Sequence, residues 1–234
     1  MNNHEQERLC ILSLKQTKYI DIWNMQKQLV QLRYEEKIPN CLIITEHEPV
    51  ITMGRNSSKT DLLVSRAELK KQKIEICQIE RNGGIAYHGQ GQLMAYPIID
   101  LSARGKDLHN YFKDLESIII SVLKDMNLMA NTRKTMTGVW VKNHLIAAIG
   151  VAVFRWISYH GLTINVNNNF DYVNLINPWG IEGFPNGSIS SMLGTKTDMG
   201  TVREILIDNF INQFGYKPEI VKDIKEIIGK QVTV

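Results

Sequence analysis

The alternation of apolar and polar positions divides this chain into a few helices and many short strands. Residues 16–36 carry Ile20, Trp23, Leu29 and Leu32 among charged and amide side chains, which predicts a helix. Residues 107–128 make a stronger case. There Leu108, Tyr111, Phe112, Leu115, Ile118, Ile119, Val122 and Met126 recur at spacings of three and four, forming one apolar face. A third helix is predicted over about 199–214, where Val202, Leu206 and Phe210 share a face and Gly215 follows as a stop signal. The segment from Glu219 to about Ile228 reads as a short amphipathic helix, so residues from about 216 to 234 are expected to form a helical tail.

Between the helices lie runs rich in Ile, Val and aromatic residues: CLIIT (41–45), PVITM (49–53), IEICQIE (74–80), QLMAYPII (92–99), GVWV (138–141), IAAIGVAVF (146–154) and LTINV (162–166). Asn82-Gly83-Gly84 is a turn signal after the third run. Strands come in clusters, with long helices before, between and after them. The expected class is therefore α/β (α+β), a mixed β-sheet flanked by helices rather than a doubly wound parallel fold. No repeat, low-complexity tract or linker divides the chain, so residues 1–234 are expected to form a single domain.

Composition narrows the function classes. The chain has 234 residues, 44% hydrophobic and 22% charged, with a formal net charge of +3. Its basic residues are scattered among acids, which describes a solvated surface and not a nucleic-acid stripe. Cys10, Cys41 and Cys77 form no C-x-x-C pair and no disulfide framework, as expected of a reducing compartment. The polar N-terminus MNNHEQERLC lacks the apolar stretch of a secretory signal, and no run is long enough to span a membrane. A cytoplasmic location, with neither nucleic acid nor membrane as partner, is the expectation.

Three segments hold candidate chemistry. In ERNGGIAYHGQGQLMAYPIIDL (80–101), two glycine-rich turns bracket Arg81, Tyr87 and His88. Such turns can wrap a ligand with backbone N–H groups, or they can be tight hairpins with a histidine at the surface. HEPVITMGR places His47 after one strand and Gly54-Arg55 at the next turn, and His160-Gly161 follows ten residues after Gly150. The histidines lack the spacing of a metal site, and no G-x-S-x-G elbow supports a Ser-His-Asp arrangement built on Ser190 or Ser191 and Asp100. No metal and no cofactor are expected.

Taken in order, EHEPVITMGR, RNGGIAYHGQGQLMAYPIIDL, GVWV…IAAIGV, HGLTINV and F…INPWGIEG…SISSML resemble the octanoyltransferases of protein lipoylation, over roughly residues 10–215. That family moves an octanoyl group from acyl carrier protein to a lysine of a lipoyl domain. The resemblance implies the fold of the lipoate and biotin protein ligases, with octanoyl-acyl carrier protein and lipoyl-domain proteins as partners. It implies an acyl site lined by Arg81, Asn82, Gly83, Gly84, Ile85, Ala86, Tyr87 and His88, by Ala148, Ile149 and Gly150, and by His160, Gly161 and Leu162. The family usually has Gly at Asn82, a longer polar residue at Gly84, Thr at Ala86 and Pro at Gln90.

At the chemistry the chain departs further. The family reads I-x-P-C-G, with the cysteine carrying the acyl group as a thioester; here Ile176-Asn177-Pro178-Trp179-Gly180 stands instead. The family lysine that favours the thiolate is replaced by Leu145 in Leu145-Ile146-Ala147-Ala148-Ile149-Gly150. A thioester route needs a thiolate near a cation, and neither indole nor leucine supplies one. The paired loss leaves an uncharged site, and Trp179 and Leu145 are expected to touch and partly fill the reaction chamber. Lys142, His144, Cys41 and Cys77 are the nearest substitutes, but strand alternation gives no reason to aim either thiol at Trp179. Two functions follow: acyl transfer to lipoyl-domain lysines without the family pair, by proximity or with His88 as base, or a non-catalytic module that holds an acyl group or lipoyl domain.

Overall fold

The computed structural model describes residues 6–133, 136–178 and 185–229. In chain order they form β1 (Arg8–Thr17), α1 (Tyr19–Tyr34), β2 (Asn40–His47), β3 (Val50–Met53), α2 (Arg66–Lys71), β4 (Glu75–Gln78), β5 (Ile85–His88), β6 (Gln92–Ile98), α3 (Leu108–Asp125), β7 (Ala130–Arg133), β8 (Met136–Val141), β9 (His144–Phe154), β10 (Ile157–Asn165), α4 (Ile189–Leu193), α5 (Met199–Phe214), β11 (Lys217–Val221) and α6 (Ile224–Gly229). Eight strands make one sheet in the order β11-β1-β2-β6-β10-β9-β8-β7, and β4-β3-β5 make a second. In the large sheet β11, β1 and β2 run parallel, and every later neighbour pairs antiparallel. The expected mixed sheet with flanking helices is what the chain builds.

Period-two alternation decides which side chains meet which helices. Leu9, Ile11, Leu42, Ile44, Leu93 and Ala95 point to one face, where α3 and α5 pack through residues such as Leu115, Ile119, Leu206 and Phe210. Cys10, Leu12, Cys41, Ile43, Met94 and Tyr96 point to the other, against Ile22 and Leu29 of α1 and Ile227 of α6. Both faces of the central strands are therefore covered, which explains why they read as near-continuous apolar runs.

Three details differ from the sequence expectation. Helix α1 begins at Tyr19, because residues up to Thr17 still pair with β2, and its buried stripe is Tyr19, Ile22, Gln26, Leu29 and Val30. Leu108, assigned to the buried face of α3, is 38% exposed at the first turn of that helix. The expected helix from Glu219 is first a strand: Arg8 to Leu12 pair in parallel with Lys217 to Val221, and the helix starts only at Ile224. Closing the edge of β1 outweighs the weak amphipathic pattern of that segment.

Candidate functional site

Between β5 with its preceding loop and the adjoining strands β6, β10 and β9 lies a cavity of about 110 Å³. The residues that the resemblance assigns to an acyl site converge on it from three elements. Arg81, Asn82, Gly84, Ile85, Ala86, Tyr87 and His88 come from the loop and β5, Ala148, Ile149 and Gly150 from β9, and His160, Gly161 and Leu162 from β10. Gly83 does not line it; it takes a left-handed φ of 86° and turns the loop. Leu145 lines the cavity too. Pattern reading missed Tyr19, Gln92, Tyr96 and Asn165, which also line it; they are separated in sequence, and only strand register brings them together.

Local packing fixes the loop. Asn82 ties it to β9 twice: its backbone N–H donates to Val151 O at 3.1 Å, and its side-chain oxygen accepts from Val151 N at 2.8 Å. Asn82 thus anchors the loop. Gly150 lets Arg81 cross β9, since a Cβ there would lie 2.9 Å from Arg81 Cδ.

Arg81 is the one permanently charged side chain among the described lining residues. Its Nη2 donates to Thr52 O at 3.1 Å and to Thr52 Oγ1 at 2.8 Å, and no carboxylate forms a salt bridge with it among the described residues. A guanidinium without a counter-ion, held against an apolar cavity, makes the site electropositive.

The hydrogen-bond chain through His88 assigns its tautomer. Thr52 Oγ1 accepts from Arg81 and so donates to His88 Nε2, 3.0 Å away. Gln92 Nε2 donates to Asn165 Oδ1 at 2.9 Å, which leaves Gln92 Oε1 to accept from His88 Nδ1–H at 2.7 Å. Burial first, then the Arg81 charge, lower the His88 pKa to about 3. The expectation of His88 as a general base is corrected here. Its lone pair is already engaged and its basicity suppressed, so it holds the loop in register. Nor is it a surface histidine, since it is 5% exposed.

His47 sits behind it, with Nε2 2.7 Å from Tyr96 Oη and Nδ1 3.2 Å from Thr17 O. Burial lowers its pKa to about 4. His160 takes a left-handed φ of 55° and places Nδ1 3.4 Å from Tyr19 Oη. Its pKa is lowered to about 4 by burial, against the opposing pull of Glu80. All three imidazoles are neutral at pH 7. Among the described residues no three His, Cys, Asp or Glu side chains gather as a metal-holding group.

The position at which the resemblance implies a lysine is an apolar wall. Leu145 is 6% exposed; its backbone N–H donates to Pro185 O at 2.9 Å, and its carbonyl accepts from Gly187 N at 3.0 Å. No cysteine or lysine is among the described lining residues. Cys41 lies in the core on the α1 side of the large sheet, Cys77 on β4 of the small sheet, and Lys142 at the exposed β8–β9 turn with φ 55°. Trp179 lies outside the described residues, and so does its expected contact with Leu145.

Comparison with known proteins gives the same direction throughout. The lipoyl protein ligase A/B catalytic domain matches residues 18–211. An octanoyltransferase of Desulforamulus reducens is 37% identical over 227 residues, an alignment covering 96% of this chain and 100% of the relative. Among solved structures, Plasmodium falciparum LipL1 in complex with lipoate superposes with a TM-score of 0.74 at 13% identity, covering 95% of this chain and 68% of that one. A bipartite archaeal lipoate protein ligase, solved with its E2 lipoyl domain from Thermoplasma acidophilum, gives a TM-score of 0.69 at 15% identity, covering 98% and 92%. Those structures share the fold, and the sequence relative matches over nearly the whole chain. The chain belongs to the octanoyltransferase family, built on the lipoyl protein ligase A/B catalytic domain.

Proposed function

We propose that this octanoyltransferase-like protein of lipoate metabolism holds an octanoyl or lipoyl group in the cavity beneath the glycine-rich loop, without ever carrying it as a thioester. The group comes from an octanoyl-acyl carrier protein and is presented to a lipoyl-domain protein, in the cytoplasm. The observation that carries this reading is Leu145, buried in the cavity wall where the family resemblance places a lysine. With no thiol among the described lining residues, nothing there supplies a thiolate.

The remaining lining suits an acyl group. Ile85, Met94, Ile149, Leu162 and Ile176 offer apolar surface to a hydrocarbon chain, and Arg81 offers a cation to its oxygenated end. The partner classes rest on relatives: the Desulforamulus reducens protein is an octanoyltransferase, and the archaeal ligase was solved with an E2 lipoyl domain.

Mass spectrometry after incubation with octanoyl-acyl carrier protein tests the reading. Native spectra should show octanoyl-acyl carrier protein associated with the protein, while denaturing spectra show the protein unmodified. An octanoyl adduct that survives denaturation would overturn the absence of a thioester, and no association under native conditions would overturn the acyl site itself.

A further inference from the structure

A line of polar side chains runs from the surface to the cavity. Glu80 begins it, with a carboxylate that is 40% exposed. Its Oε2 accepts from Trp23 Nε1 of α1 at 3.0 Å and lies 3.5 Å from His160 Nε2. On the other side of that ring, His160 Nδ1 is 3.4 Å from Tyr19 Oη. Both His160 and Tyr19 line the cavity.

Each member is set by a separate element. Tyr19 opens α1 and is 3% exposed, its ring stacked parallel on His88 with centroids 6.1 Å apart. The backbone N–H of His160 donates to Gln26 Oε1, also on α1, at 2.7 Å. That bond holds the residue in a left-handed conformation that costs a non-glycine residue about 1 kcal/mol or more. Nε2 of His160 has no hydrogen-bond partner among the described residues, and Glu80 Oε2 at 3.5 Å pairs with it only when the ring is protonated.

We propose that Glu80, His160 and Tyr19 form a proton relay through which the cavity catalyses direct transfer of an acyl group from a thioester to a primary amine. This rests on the acyl site proposed above and adds turnover to it. The lysine nitrogen of the acceptor attacks the thioester carbonyl carbon, and the C–N bond forms. An amine proton passes to Tyr19 Oη while the phenolic proton moves to His160 Nδ1, and the Glu80 carboxylate pairs with the imidazolium at Nε2. The C–S bond then breaks with its electron pair on sulfur, and the proton returns through Tyr19 to the thiolate. One thioester and one amine become one amide and one thiol.

The charges around the relay suit that exchange. Facing His160 are Tyr19 on α1, Glu80 and Arg81 in the loop after β4, Arg55 after β3, His88 on β5 and Tyr159 on its own strand. Burial and Arg81 keep the imidazole neutral at rest, while Glu80 favours the protonated form and so supports an imidazolium formed in passing. Burial raises the Tyr19 pKa, so the residue passes protons as a phenol and does not rest as an anion. Tyr19 is the catalytic residue here; His160 and Glu80 act through it.

The test measures octanoyl transfer from octanoyl-acyl carrier protein to an apo lipoyl domain by the full chain, alongside octanoyl association by native mass spectrometry. The wild-type protein should modify the acceptor lysine. Tyr19→Phe should lower kcat about 100-fold, within the range of general acid–base contributions, with acyl association unchanged. Glu80→Gln should lower kcat with KM unchanged, and Glu80→Asp should recover part of it, which a merely structural role would not produce. An acceptor left unmodified by a wild-type protein that still associates with the octanoyl group overturns the relay and leaves the acyl site standing. Equal kcat in wild type, Tyr19→Phe and Glu80→Gln overturns it as well. A wild-type protein that fails to associate with the octanoyl group overturns the acyl site and the relay together.

Discussion

Leu145 sets the polarity of one wall of the cavity. In a wall that already holds the unpaired Arg81, an ammonium would meet both desolvation and a like charge, and both disfavour its protonated form. Leu145→Lys alone is therefore expected to destabilise the fold by about 3 kcal/mol, the scale for an uncompensated buried charge, read from urea unfolding at pH 7. Joined to Trp179→Cys it regains the partner that the family pattern supplies. The double variant should then retain octanoyl as an adduct that survives denaturation and is released by hydroxylamine. A double variant with no such adduct would show that the missing pair is not what separates this chain from thioester chemistry. Which residues meet at the cavity was legible in the ordered motifs, because loops and strand ends keep local signatures. What they do to one another was not: the tautomer of His88 depends on Thr52 and Asn165, which lie far from it in sequence and reach it only through strand register.

Elements were legible where a single period persists. Helix α3 repeats its apolar spacing for 18 residues, and α5 buries Val202, Leu206 and Phe210 as their spacing predicts. Legibility did not follow strand length: the four-residue β3 and β4 stood out as PVITM and IEICQIE, while the ten-residue β1 was missed along with β5, β7 and β11. β5 holds four residues between glycine turns, β7 is an edge strand with two exposed positions, and KPEIV of β11 carries proline and charge, which disguise a strand. Yet β11 and α6 belong to the core. Ile227 is 1% exposed and packs in the same cluster as Cys10, Leu12 and Ile38. Ile227→Ala should cost about 3 kcal/mol, as for other buried large-to-small changes, measured by chemical denaturation. A change below about 0.5 kcal/mol, the range of exposed sites, would mean that α6 is not docked as described.

Across the whole molecule, the three buried histidines couple the cavity to global stability. His47, His88 and His160 lie on β2, β5 and β10, and each shifts downward from an ordinary 6.5, to about 4, 3 and 4 respectively. Burial is the largest cause in each, because the folded interior disfavours the imidazolium. The unfolded chain takes up these protons near pH 6.5, whereas the folded chain refuses them until about pH 4 or below. Their contribution is therefore complete above pH 6.5 and is lost as pH falls toward those folded values. Each histidine gives a slope of about 1.4 kcal/mol per pH unit inside that window, so the three together approach about 4 kcal/mol per unit between pH 6 and pH 5. Carboxylates with ordinary pKa values titrate mainly below that interval, which keeps the histidine signal separate. Urea unfolding at half-unit steps from pH 7.5 to pH 5 should show a plateau and then a steep fall. His47→Gln should make the fall shallower by about one proton, while a free energy flat across the interval would mean that these rings are solvated and the cavity is open to water on all sides.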